Sequence, residues 1–437
     1  MFNVFKSMGL VKYLALDEVN PRSFFFFMLF GTLIAVIFHI TLSLFHLGYP
    51  WTTFLFQPGD RFNDWHNSIR HSFAPNPYQT DGALATYFPF TYVLLKIGTF
   101  QEKSLSLMVF FGVAIGLIFI SAHQILKKVG QAELSILSGT NNWIYLVLGT
   151  LISYPVIFAL DRGNIDIWIA FFCVIFVINI DTKYRILGCI FLTVAISLKG
   201  YPAAFLLIYF HNKQFGLLMT SLVGVILLTF FPLIFLWGGL SINIFEFQRN
   251  FYEFKALYVL DKHSLFASSD PYNAIRMSFL VAQEKALKYM LLPPSWTKLS
   301  IREFSTILYN SYIYISFTLA SVLSIFVIFA NIEQWRRVLA ISLICILFPT
   351  VANDYKLNLL FPSIYLFVTQ QNSSKDNRDI FILLCILLIP KSYFFIKGMS
   401  VSMLINPILL VILVIKTLYQ PMTWPEIYKK ITRIVSK

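Results

Sequence analysis

The sequence predicts an all-α polytopic membrane protein, and three observations predict it. Of the 437 residues, 57% are hydrophobic and only 13% charged, with a mean hydropathy of +0.71. A soluble chain of this length needs more charge to stay dispersed. Several apolar runs approach the roughly 20 residues that cross a bilayer core of about 30 Å. Short basic clusters separate these runs: Lys127-Lys128, Lys183 with Arg185, Lys213, Arg336-Arg337, Lys375 with Arg378, and Lys429, Lys430 and Arg433. Placing all of them in the cytoplasm gives one self-consistent path.

That path puts spans near 23–45, 104–124, 143–160, 165–180, 186–199, 202–210, 215–237, 307–330, 338–350, 356–370, 379–395 and 400–418. These make about twelve crossings with both termini inside. Lys6, Lys12 and Arg22 precede the first run, Phe24 to Phe45, and no small-residue cleavage site follows it. It reads as a retained helix. The run 186–210 is interrupted by Lys199-Gly200-Tyr201-Pro202, because Pro202 cannot continue a helical ladder and Gly200 frees the backbone beside it. The result is one kinked span or a tight pair of half-length helices; the pair keeps the basic loops in register. Outside lie residues 46–103, the turn 161–164, and the stretch 238–304 with a companion turn near 350–356. The tail 419–437, with "WPEIYKKITRIVSK", mixes apolar and basic residues at helical spacing and reads as a cytoplasmic surface anchor. No repeat or linker is evident, so residues 1–437 read as a single integral membrane domain.

Several classes of function fall away. The four cysteines, Cys173, Cys189, Cys345 and Cys385, lie inside apolar runs and read as packing residues rather than a disulfide framework or metal site. There is no Gly-rich phosphate loop, no zinc-spaced His/Cys set and no soluble nucleotide-binding domain. The net charge of +13 points to anionic lipid head groups or a lipid-linked phosphate rather than nucleic acid.

A charge at the centre of a transmembrane helix costs about 2.5–3.5 kcal/mol, and most charges here avoid it by sitting in loops. The external ones gather. Asp60, Arg61, Asp64 and Arg70 lie in the first loop, and "LDRGNIDIW" holds Asp161, Arg162, Asn164 and Asp166 at the next turn. Lys199 sits at the third, and Asp354, Tyr355 and Lys356 at a later one. Each has an ordinary reading. Asp64 would solvate a loop, Arg162 would pair with Asp161 or Asp166, and Lys199 would snorkel. Together they bring acids and bases from distant segments to one face, as a membrane enzyme lining an external cavity requires.

Four stretches carry a resemblance. An acid in the first loop precedes "NPY" at 76–78 and "YFPFTYVLL" at 87–95. "RGNIDIWIAFF" spans 162–172, "ISLKGYPAAFLLIYF" 196–210 and "FPTVANDYKLNLLFPSIYLF" 348–367. Their order resembles glycosyltransferases of the GT-C fold, specifically the polyprenyl-phosphate-sugar-dependent family 87. "HSLFASSDPYNAIRM", 263–277, resembles that family's Asn-x-Ser-Leu patch. The chain departs from the family where Gly-Gln-Asn becomes Gly163-Asn164-Ile165, and where Tyr-Pro-Pro-Leu becomes Tyr87-Phe88-Pro89-Phe90.

The resemblance implies a GT-C-like bundle whose external loops form the active-site cavity. It implies transfer of a hexose or pentose, mannose-like favoured, from a polyprenyl-phosphate donor to a glycan or glycolipid. The reaction would invert the anomeric carbon on the non-cytoplasmic face of the inner membrane, with the lipid-linked sugar as donor substrate and no metal or other cofactor. By the motif match Asp64 is the base, with Asp60 as its competitor. Lys199, Arg162 and Lys356 are the cations for the departing phosphate. Asn164, Tyr78, Asp354 and Tyr355 are candidates for sugar hydroxyls, and Trp65 for stacking on a sugar face. Two other readings remain: an envelope polysaccharide polymerase or ligase using a pyrophosphate-linked oligosaccharide, and a lipid-linked glycan flippase. A flippase would favour charges within spans and an internal repeat.

Overall fold

A computed structural model describes residues 19–44, 61–80, 82, 84–132, 142–260, 269–289, 300–348, 352–369, 375–391, 394–396 and 399–419. Asp60 and the tail beyond residue 419 therefore lie outside the described residues. The helices are α1 (Pro21–Leu44), α2 (Asn63–Phe73), α3 (Pro89–Gly98), α4 (Lys103–Ala132), α5 (Asn142–Leu151), α6 (Tyr154–Arg162), α7 (Asp166–Asn179) and α8 (Arg185–Leu198). A 3-10 turn, Tyr201–Leu206, leads into α9 (Leu207–His211), followed by α10 (Phe215–Phe235), α11 (Gly239–Phe254), α12 (Pro271–Tyr289), α13 (Ile301–Phe329) and α14 (Gln334–Leu347). A second 3-10 turn, Asp354–Leu360, opens α15 (Phe361–Thr369), before α16 (Lys375–Leu388) and α17 (Val401–Leu418). Between the last two, β1 (Phe394–Ile396) pairs antiparallel with β2 (Met399–Ser400).

Five of these helices, α1, α4, α10, α13 and α17, are long and apolar enough to cross a bilayer, and α5 with α6, bent by 55°, makes a sixth. This is an all-α membrane protein. The expected count of about twelve crossings is not confirmed by that measure, because α7 and α8 have 14 residues each. The physical reason is burial. Every residue of α7, "DIWIAFFCVIFVIN", is buried, and a helix apolar all round belongs in a core. The long helices by contrast expose large apolar side chains, as Ile226, Phe230 and Ile234 on α10 and Tyr314 and Phe317 on α13.

The interrupted run 186–210 is a pair of helices rather than one kinked span. The chain reverses at Lys199-Gly200, so that Tyr209 of α9 packs on Phe176 of α7 and Asn212 bonds Asp181 beside the start of α8. The bundle consequently has two chemically distinct ends. At one, Lys128 donates to the Ile178 carbonyl, Arg337 to the carbonyls of Val327 and Ala330, and Arg336 to that of Lys416. Lys183 and Lys213 belong to turns of this same end, where Arg185 opens α8. At the other end α6, α8 and α14 finish and α4, α7 and the 354–360 turn begin.

Candidate active site

The second end is built around a turn. Helix α6 stops at Arg162 because Gly163 adopts a left-handed conformation, φ 67°, and its N–H closes the last turn on the carbonyl of Leu160. Glycine is the residue that reaches this region without strain. A Cβ at Gly163 would lie 2.4 Å from the Cβ of Trp65, so the missing side chain also lets α2 lie against the turn. Phe62, just before α2, is left-handed as well, at φ 57°. That is rare for a bulky residue, and it is held by a 2.7 Å hydrogen bond from its N–H to the carbonyl of Asp161.

This close approach joins Asp64 to residues about a hundred positions away. Arg162 Nη2 donates to Asp64 Oδ1 at 2.8 Å, and Asn164 Nδ2 donates to Oδ2 at 2.8 Å. Each carboxylate oxygen keeps a lone pair for a further donor, and the Asp64 side chain is part-exposed. Asn164 also faces the other way. Its Oδ1 accepts from the Asp166 N–H at 3.0 Å and from Lys199 Nζ at 3.4 Å. Lys199 makes its strongest contact with Asp166 Oδ1, at 2.6 Å, and the Tyr201 hydroxyl donates to that same oxygen at 2.9 Å.

Two further segments close the cluster. Thr91 of α3 donates to the Leu198 carbonyl at the end of α8, and Lys199 Nζ sits 4.6 Å from the centroid of the Tyr87 ring. Tyr87 is held by the Tyr78 hydroxyl on its carbonyl and by its own N–H on the Tyr92 hydroxyl. Burial, then the charges of Asp64 and Asp166, push the Tyr87 phenol well above its usual range. It therefore stays a hydrogen-bond donor. From the 354–360 turn, Lys356 Nζ lies 5.2 Å from the Tyr201 ring centroid, and Tyr355 packs on Phe158 within electrostatic reach of Asp64 and Asp166.

The cluster thus gathers Asp64, Arg162, Asn164, Lys199, Tyr355 and Lys356 of the expected residues. The two leading cations are not free-standing: Arg162 pairs with Asp64, and Lys199 pairs with Asp166. Asp161 instead meets Arg61 at 3.4 Å.

Three expected sugar contacts sit elsewhere. Trp65 is 0% exposed, its Nε1 donating to Ser106 Oγ and its ring packed on Phe110 and Trp168. Neighbours on a helix point about 100° apart, so Asp64 facing the cluster turns Trp65 into the core. Tyr78 is 1% exposed and braces Tyr87. Asp354 is 0% exposed and accepts from Ser269 Oγ at 2.5 Å and Asn406 Nδ2 at 2.8 Å. It ties the segment before α12 to α17.

Asp354→Ala removes both bonds, leaving the buried Ser269 hydroxyl without its acceptor and the Asn406 amide with only its 3.4 Å bond to Ser269 Oγ, which is expected to destabilise the protein by about 1–3 kcal/mol. The check is a lower midpoint of thermal unfolding in detergent, with the folded fraction keeping its activity. An activity loss without a stability loss would contradict this structural role.

Sequence reasoning gave no site role to Asp166, Tyr201 or Tyr87. The signal for Asp166 was present: it is the sole charge in a segment that is otherwise apolar up to Asn179, two positions after the asparagine of the turn.

The family model described as glycosyltransferase family 87 matches residues 85–353, more than half of the chain. The match holds Arg162, Asn164, Asp166, Lys199 and Tyr201, begins after Asp64 and ends before Asp354. No curated protein matches the sequence.

Proposed function

The chain belongs to glycosyltransferase family 87, and from that premise we propose that it moves one sugar from a polyprenyl-phosphate donor to a glycan or glycolipid acceptor. The observation that carries this reading is the cluster joining Asp64, Arg162, Asn164, Lys199 and Asp166.

Asp64 takes the proton of the acceptor hydroxyl as its oxygen bonds the anomeric carbon. The bond from that carbon to the phosphate oxygen breaks, and the electron pair leaves with the lipid phosphate. A phosphodiester of charge −1 becomes a monoester approaching −2, so a fixed cation stabilises the transition state more than the bound donor. Arg162, Lys199 and Lys356 supply the positive charge around the two carboxylates Asp64 and Asp166. Holding acceptor, base and anomeric carbon in line can contribute about 7–11 kcal/mol. Attack opposite the leaving group inverts the anomeric centre, and no step calls for a metal ion.

The reaction is assigned to the non-cytoplasmic face of the inner membrane. Lys128, Lys183, Arg185, Lys213, Arg336 and Arg337 share the end of the bundle away from the cluster, and basic loops stay in the cytoplasm. The test is purified protein with a panel of polyprenyl-phosphate and polyprenyl-pyrophosphate sugars and membrane-extract acceptors. The reading expects at least one monophosphate donor to lose its sugar to an acceptor. Transfer from pyrophosphate donors alone would replace it with the polymerase or ligase reading.

A further inference from the structure

Asp166 is 1% exposed, and only half of its carboxylate is satisfied. Oδ1 takes the ammonium of Lys199 and the hydroxyl of Tyr201, while Oδ2 is buried with no hydrogen-bond partner. An unpaired buried acceptor is costly, and more so when it carries charge. The carboxylate also lies within electrostatic reach of Tyr87 and Tyr355, whose phenols are near Asp64 too. This orphaned oxygen therefore belongs to the same cluster as the proposed base.

Its chemistry limits what it can receive. An ionised carboxylate oxygen is an acceptor only, and so are the oxygens of a phosphodiester; the two repel. A sugar hydroxyl is a donor and fits. We infer that Asp166 Oδ2 is the subsite for one hydroxyl of the donor sugar, with Lys199 standing between that hydroxyl and the phosphate. The inference rests on the proposed function and adds to it a determinant of sugar specificity. Lys199 is aligned by Asp166, Tyr87 and Asn164, so one buried side chain would orient both the sugar and the cation that receives its leaving group. A site built to bond a substrate hydroxyl strongly rejects an analogue lacking it, because its own polar group is then left unpaired.

The test is a cycle between protein and substrate. Wild-type protein and Asp166→Asn are each assayed with the preferred polyprenyl-phosphate sugar and with its set of monodeoxy analogues. In the wild type, removal of one particular hydroxyl is expected to lower kcat/KM by more than about 100-fold. Against that same analogue alone, the deficit of Asp166→Asn should shrink by more than about tenfold, because both partners of one bond are already gone and only the disturbance of Lys199 remains. If the wild type uses every monodeoxy donor within about fivefold, the subsite is overturned, and this arm needs no variant to fold. A deficit of Asp166→Asn that is equal for all donors overturns it as well. So does a turnover abolished by chelator with no deoxy penalty, which would put a cation on Oδ2. Absence of transfer from any lipid-phosphate sugar would overturn the proposed function itself; transfer without hydroxyl discrimination overturns the subsite alone.

Discussion

Asp64→Asn is expected to reduce transfer at least about 100-fold while the protein still inserts and folds. General-base catalysis contributes about 10²–10⁴, and an amide cannot take the acceptor's proton. The substitution also disturbs the neighbours. The Asn164 amide donates to Asp64 Oδ2, and a second amide nitrogen there would set donor against donor. Arg162 would lose the charge it meets at 2.8 Å. Both groups are part-exposed, so water offsets much of that loss and the effect on stability stays small. Turnover should therefore collapse with little change in the unfolding midpoint. Asp64→Glu keeps the charge but moves it by one methylene, and it should recover part of the activity. An Asp64→Asn protein with wild-type turnover would remove the base assignment.

Gly163→Ala should fail for a different reason, and on two counts. The left-handed backbone costs a residue with a Cβ about 1–2 kcal/mol. The added methyl would sit 2.4 Å from Trp65 Cβ and 3.2 Å from the Trp65 backbone nitrogen. Neither atom is the end of a flexible side chain, so α2 must move off the turn, at about 1–3 kcal/mol for overpacking. The two together predict a loss of about 2–5 kcal/mol, read as a lower unfolding midpoint. Because the turn carries Arg162 and Asn164 to Asp64, a shift of about 1 Å is also expected to cost roughly 100-fold in turnover. A Gly163→Ala protein with unchanged stability would show that α2 does not lie where this structure has it.

Much of the scaffold was legible because membrane solubility imposes simple rules. The run predicted at 23–45 is the helix Pro21–Leu44, and the break at Lys199-Gly200-Tyr201-Pro202 does reverse the chain. Hydropathy reports how apolar a segment is but not what it faces. It could not tell a short, wholly buried helix such as α7 from a lipid-facing span. In the site, charged residues at helix ends were readable as a group, since few positions tolerate them. Their pairing was not, because Asp64 meets Arg162 only through the absent Cβ of Gly163 and its contact with Trp65. Trp65 was a candidate for stacking on a sugar face, whereas the rotation of a helix sends it and Asp64 to different surroundings. Asp166 was counted among the gathered charges but given no role of its own, for a related reason. Its partners Lys199 and Tyr201 are more than thirty positions away, and only the reversal after α8 brings them back.

The claim on which the mechanism depends is that the polar cluster faces away from the cytoplasm while the basic turns face into it. Single cysteines decide this, since the four native ones are buried. Arg61, whose side chain is 43% exposed beside the cluster, and Tyr184, 55% exposed in the basic turn after α7, give the two reporters. With a membrane-impermeant maleimide applied from outside, Arg61→Cys is predicted to react in intact inner membranes, and Tyr184→Cys only after the membrane is opened. The reverse pattern would contradict the account.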